Sequence, residues 1–147
     1  PVGSLVLGSA AFIRQARRTR KILGGGMRQA GVLAAAGHYA LQHHVRRLAE
    51  DHANLHTLAS GLRAVGESHP VLRGRITVHP WQTNILFTDV QADVAPAFTA
   101  WLAQHQIRVT SSLYGGQSRL RWVTHLDVNA ADVQAALDCV ARFTLPG

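Results

Sequence analysis

Acidic side chains are missing from the first 49 residues of this chain, which hold eight basic ones, while the remaining residues carry seven basic and eight acidic groups. The whole excess of +7 therefore sits in the first third. That asymmetry implies an anionic partner there: nucleic acid, a phosphate-bearing cofactor or an acidic neighbouring subunit. Lysine is almost absent as well, with Lys21 alone against fourteen arginines. A single cysteine, Cys139, excludes an internal disulfide, so the fold does not depend on oxidation and a cytoplasmic location is expected. No apolar run reaches the roughly 20 residues that span a bilayer, and the N-terminus lacks the basic-then-apolar layout of a signal peptide. What is present, 47% hydrophobic residues in 147, suffices for one ordinary core or two small ones.

Taken in order, Pro1 to Gly8 is rich in branched apolar residues bounded by glycines and reads as a buried strand of a larger sheet. Ser9 is a fitting N-cap for a helix to about Leu23, with Arg14, Arg17, Arg18 and Lys21 forming a basic stripe opposite Phe12 and Ala16. Gly24-Gly25-Gly26 interrupts helical propensity at roughly 1 kcal/mol per glycine. Small apolar residues resume to Leu41, which predicts a helix buried against other helices or another subunit. An amphipathic pattern then places Leu48, His52, Leu55, Leu58, Ala59, Leu62 and Val65 on one face, and the length of the periodic run predicts either a bend near His43-His44 or a long connecting helix joining two regions.

Beyond a loop at 66–74 the period changes. Strands are expected at 75–79 and 83–90, a helix at 94–106, strands at 107–111 and 120–124 around a Gly115-Gly116 turn, and a last helix capped by Asn129. Its core face would comprise Val133, Ala136, Leu137, Val140 and Phe143. The order implies a small two-layer α/β unit over residues 51–147, preceded by a distinct region over 1–50.

Two stretches carry chemistry. Gly24-Gly25-Gly26, flanked by Lys21 and Arg28, is either a plain helix-to-helix loop or a cradle for phosphate. Arg119 and Arg121 lie two apart on a strand, hence on one face, with Trp122 on the other. A guanidinium there grips a carboxylate bidentately, unless it is tied to Asp127 or another neighbouring acid. His52 and His56 have helical metal-pair spacing but no third ligand nearby, so no metal site is expected. Aromatic residues interleaved with the basic stripe are absent apart from Phe12, and nucleic acid is not among the expected partners.

The stretches PVGSLVLG, RKILGGGMRQAGVLAAAGHYAL, RLAEDHANLHTLASGL and RWVTHLD together resemble, in order, the C-terminal half of low-specificity L-threonine aldolases. The resemblance runs from Pro1 to about Phe143. It implies the end of a pyridoxal-phosphate-dependent large domain of the aspartate-aminotransferase fold type, followed by the complete small α/β domain. The implied activity is cleavage of L-threonine or L-allo-threonine, β-hydroxy-α-amino acids, to glycine and acetaldehyde with pyridoxal 5'-phosphate as cofactor. It implies that Arg28 and Lys21 contact the cofactor, that Arg121 takes the substrate α-carboxylate, and that residues 12–45 form a homo-oligomer interface in a dimer or tetramer. In the family the Schiff-base lysine belongs to an S-K-G-L-x-x-P-V-G-S motif, five positions before Pro1. Hence no catalytic residue is expected within this chain, which by itself should not cleave threonine. The alternatives are a noncatalytic polyanion- or nucleic-acid-binding domain, or part of a related lyase such as a phenylserine aldolase or a β-eliminating enzyme.

Overall fold

The computed structural model describes residues 3–145. The chain divides into two compact units, Pro1–Arg47 and Leu48–Gly147. The first holds two helices, α1 (Ala10–Ile22) and α2 (Gly31–His43), and neither has a buried residue. Ser9 caps α1, its Oγ accepting from the Phe12 N–H at 3.3 Å, which satisfies one of the donors a helix start leaves open. Of the strand expected at 1–8, the described residues 3–8 do not form one. Residues 3–9 are neither strand nor helix, and Leu5, Val6 and Leu7 are exposed, because extended backbone needs a neighbour to bond to and none pairs with it among the described residues. Pro1 and Val2 lie outside the described residues. Leu5 instead rests on α2, where a Cβ added at Gly37 would stand 3.1 Å from its Cδ1. No residue of α2 is buried among the described residues, and Val32, Tyr39 and Leu41 are exposed.

The second unit opens with α3 (Leu48–Ser68), separated from α2 by the break foreseen at His43-His44. Its core face is Leu55, Leu58, Ala59 and Leu62 with Asp51 and Asn54; His52, expected there, is exposed. There follow β1 (Ile76–Val78), β2 (Ile85–Val90), α4 (Ala95–Gln104), β3 (Thr110–Tyr114), β4 (Gln117–Val123) and α5 (Ala130–Ala141). All strand pairs are antiparallel, in the order β1-β2-β4-β3. One core is shared by Leu86, Val90, Leu120 and Trp122 from the sheet and by Leu58, Phe98, Leu102, Val133 and Val140 from the three helices, with Phe143 after α5. On the opposite sheet face Phe87, Ser112 and Arg121 are exposed. The unit is therefore the two-layer α/β arrangement that the alternation of periods predicts.

Candidate functional site

The side-chain alternation of β4 decides what each of its residues can do. Leu120 and Trp122 point into the core, and the buried Trp122 indole donates to Thr88 Oγ1 at 3.0 Å. Arg119 and Arg121 must then point to the other face. Register with β2 sets Arg119 opposite Asp89 and Arg121 opposite Phe87; register with β3 sets them opposite Ser112 and Thr110.

These two arginines have different fates. Arg119 Nε donates to Asp89 Oδ1 at 2.7 Å and its Nη2 to Oδ2 at 2.8 Å, a bidentate pair. His79 Nε2 lies 2.7 Å from the same Oδ2, and the Tyr114 ring centroid lies 3.9 Å from Arg119 Cζ. The Arg119 hydrogen bonds hold the Asp89 carboxyl at about 2, against the opposing effect of burial and with His79 assisting. The same bonds raise the Arg119 guanidinium further above its ordinary value. Arg119 is thus tied to an acid, though the acid is Asp89 on β2 and not Asp127, which is exposed and faces His125 at 3.7 Å. Arg121, by contrast, is exposed and makes no hydrogen bond or ion pair among the described residues.

The end of β4 is held firmly. Thr124, buried, donates through Oγ1 to the Asp51 carbonyl of α3 at 2.7 Å, and its own backbone exchanges bonds with Asn84 at 3.1 and 2.8 Å. Asn54 Nδ2 donates to the Val128 carbonyl at 3.1 Å. The Thr of the RWVTHLD stretch is therefore a fixture between α3 and β4, a role its sequence position does not announce. Its neighbour His125 accepts the Asp127 N–H at 3.2 Å and shapes the turn into α5.

In the first unit, Lys21 and Arg28 are both exposed on either side of the glycines. Gly24 has φ +81°, a left-handed conformation that side chains resist, and the Gly25 N–H donates to the Arg20 carbonyl at 2.8 Å. The Lys21 chain folds back across Gly26, where an added Cβ would stand 3.0 Å from Lys21 Nζ. The glycines do not themselves open α2, since a turn over residues 28–30 intervenes and Gln29 there has φ +53°. Because the first 49 residues contain no carboxylate, the cations of this loop have no side-chain acid within their own unit. His52 and His56 belong to no group able to hold a metal among the described residues; His56 packs its edge on Trp81. Among those residues no helix is long and apolar enough to cross a membrane.

Asp89, His79 and Tyr114 are the residues of this face that reading the sequence misses. The alternation in strand 85–90 places Asp89 on the open face, but only the β2–β4 register brings it to Arg119.

Comparison with known proteins gives this geometry a family. The chain is 40% identical over 145 residues to a probable low-specificity L-threonine aldolase 2 of Arabidopsis thaliana, an alignment covering 97% of this chain and 39% of that protein. It is 42% identical over 129 residues to the low specificity L-threonine aldolase of Escherichia coli strain K12, covering 88% of this chain and 34% of that one. The chain thus spans less than two fifths of the length of these curated relatives. Its fold is similar to that of 8-amino-7-oxononanoate synthase from Francisella tularensis, with a TM-score of 0.56 at 17% identity over 74% of this chain and 30% of the other. The family model described as beta-eliminating lyase matches residues 1–93, more than half of the chain. The chain belongs to the beta-eliminating lyase family.

Proposed function

We propose that this chain is the C-terminal part of a low-specificity L-threonine aldolase, a lyase that cleaves β-hydroxy-α-amino acids such as L-threonine and L-allo-threonine to glycine and an aldehyde. One observation carries the reading of the site: Arg121 is an exposed guanidinium with no partner among the described residues, on a sheet face whose other arginine is already neutralised. The relatives' names and the order of the matched stretches support the aldolase over other members of the family.

The family's cofactor is pyridoxal 5'-phosphate, and the residues of the first unit fit its phosphate. Lys21 and Arg28 flank a loop with a left-handed Gly24 and a Gly26 whose bare Cα lets the Lys21 ammonium lie against the backbone. Such a surplus of donors and positive charge suits a phosphate dianion. When bound, pyridoxal phosphate supplies the electron sink that makes Cα–Cβ cleavage possible. The part proposed for these residues is binding and orientation of the cofactor and substrate. Arg121 would grip the α-carboxylate through paired N–H donors and so fix the rotation about the substrate's N–Cα bond. The clamp at Thr124 holds the strand from which Arg121 projects. Lys21 and Arg28 would also place residues 12–45 at a subunit boundary in a dimer or tetramer, which agrees with the exposed apolar residues of α2.

The test is an assay of the longer protein with its upstream portion: L-threonine should yield equimolar glycine and acetaldehyde in a pyridoxal-phosphate-dependent reaction. Release of 2-oxobutanoate and ammonia in place of glycine and acetaldehyde would assign a β-eliminating chemistry.

A further inference from the structure

Arg119 and Arg121 are successive residues on the open face of β4, about 7 Å apart along the strand. Two free guanidinium forks at that spacing form a receptor for a ligand with two carboxylates. Asp89 removes one of them. Its two oxygens occupy the Nε and Nη2 donors of Arg119, His79 meets the second oxygen, and the Tyr114 ring covers a face of the guanidinium. For Arg119 to reach a ligand it would have to break two charge-assisted bonds and leave the Asp89 carboxylate, only 8% exposed, without its main counter-charge. Arg121 has Phe87 and Thr110 as its cross-strand neighbours, one apolar and one neutral.

We propose that Asp89 is a specificity-determining residue: by locking Arg119 it leaves one guanidinium on this face, so the site favours β-hydroxy-α-amino acids with a single carboxylate over those with a second, such as β-hydroxyaspartate. This rests on the reading of Arg121 as the α-carboxylate contact. Asp89 touches no substrate; it acts through Arg119.

The experiment compares kcat/KM for β-hydroxyaspartate with that for L-threonine in the longer lyase. Asp89→Asn should raise the ratio about tenfold, the worth of one added charge-assisted contact, and adding Arg119→Met to it should return the ratio to its starting value. An unchanged ratio in a folded Asp89→Asn protein overturns the proposal. If that variant does not fold, the unaltered chain decides: in the 15N-labelled protein, succinate should shift the Arg121 Nε–Hε resonance and leave that of Arg119 in place. An Arg119 resonance that follows succinate overturns the lock. Arg121→Ala separates the two readings. An unchanged threonine KM there removes the carboxylate contact and the proposal with it, whereas a raised KM beside an unchanged Asp89→Asn ratio removes the proposal alone.

Discussion

Asp89 and Arg119 are joined across β2 and β4 by two hydrogen bonds of 2.7 and 2.8 Å, thirty residues apart in the chain and directly opposite in the sheet. The pair ties substrate discrimination to the acid stability of the fold.

The carboxyl of Asp89 is lowered in the folded state, to about 2 from 3.8. Its contribution to stability is therefore complete above about 3.8 and disappears as pH falls through about 2. A shift of that size corresponds to on the order of 2 kcal/mol. Chemical denaturation of the 147-residue chain at pH 5 and at pH 2 should show a loss larger than that of Asp89→Asn by this amount. Equal losses in the two proteins would show that the pair does not carry the acid sensitivity.

Arg121→Ala in the longer lyase should raise the KM for L-threonine roughly 10- to 100-fold, the cost of a lost charge-assisted contact, while the affinity for pyridoxal phosphate stays within about twofold. Steady-state kinetics and a cofactor titration check both halves. A parallel loss of cofactor affinity would place Arg121 against the cofactor and not the substrate.

Incubating the isolated chain with pyridoxal phosphate and then borohydride should give no stoichiometric adduct at Lys21 by mass spectrometry. Lys21 is exposed, and an exposed side chain lacks the enclosing pocket in which a Schiff-base lysine is held against the cofactor. A full-occupancy adduct would make Lys21 the covalent anchor and revise its role.

Asn129 caps α5 with a complete reciprocal arrangement: its Oδ1 accepts from the Ala131 and Asp132 N–H groups at 2.8 and 3.1 Å, and Asp132 accepts from the Asn129 N–H at 2.9 Å. Asn129→Ala should cost about 1 kcal/mol, read as a lower thermal midpoint of the chain.

Gly115 and Gly116 have φ of +58° and +79°, a two-residue hairpin turn whose twist matches the strands. Asparagine tolerates the first position, so Gly115→Asn should hold or raise stability by about 0.5 kcal/mol, whereas Gly115→Val should lower it by about 1–2 kcal/mol. The sign of the difference in thermal midpoint between the two variants is the check.

How much of this was readable from residues alone follows the range of the interaction involved. The Ser9 and Asn129 caps, the break near His43-His44 and the opposed faces of Arg121 and Trp122 are set within a few residues and appear in the sequence directly. The strand expected at 107–111 forms instead at Thr110–Tyr114, because a two-residue turn at Gly115-Gly116 requires its strands to abut it. The amphipathic pattern puts His52 on the core face, but the helix turns Asp51 and Asn54 inward, where Asn54 bonds to the backbone beyond β4. The apolar stretch at 1–8 satisfies every local criterion for a strand, yet strand formation depends on a partner that local pattern does not contain. The Asp89–Arg119 pair lay hidden for the same reason, since it exists only once β2 and β4 are in register.

That register also has a kinetic side. β3 and β4 form a local hairpin, closed by a two-residue turn, while β2 reaches β4 only after the intervening α4 segment is looped out. Loop closure makes the second pairing the slower event. The hairpin by itself brings only the Tyr114 ring onto Arg119, and the docking of β2 adds the Asp89 carboxylate that ties it. The chemical difference between Arg119 and Arg121 is thus completed by a strand pair that closes a longer loop than the hairpin does.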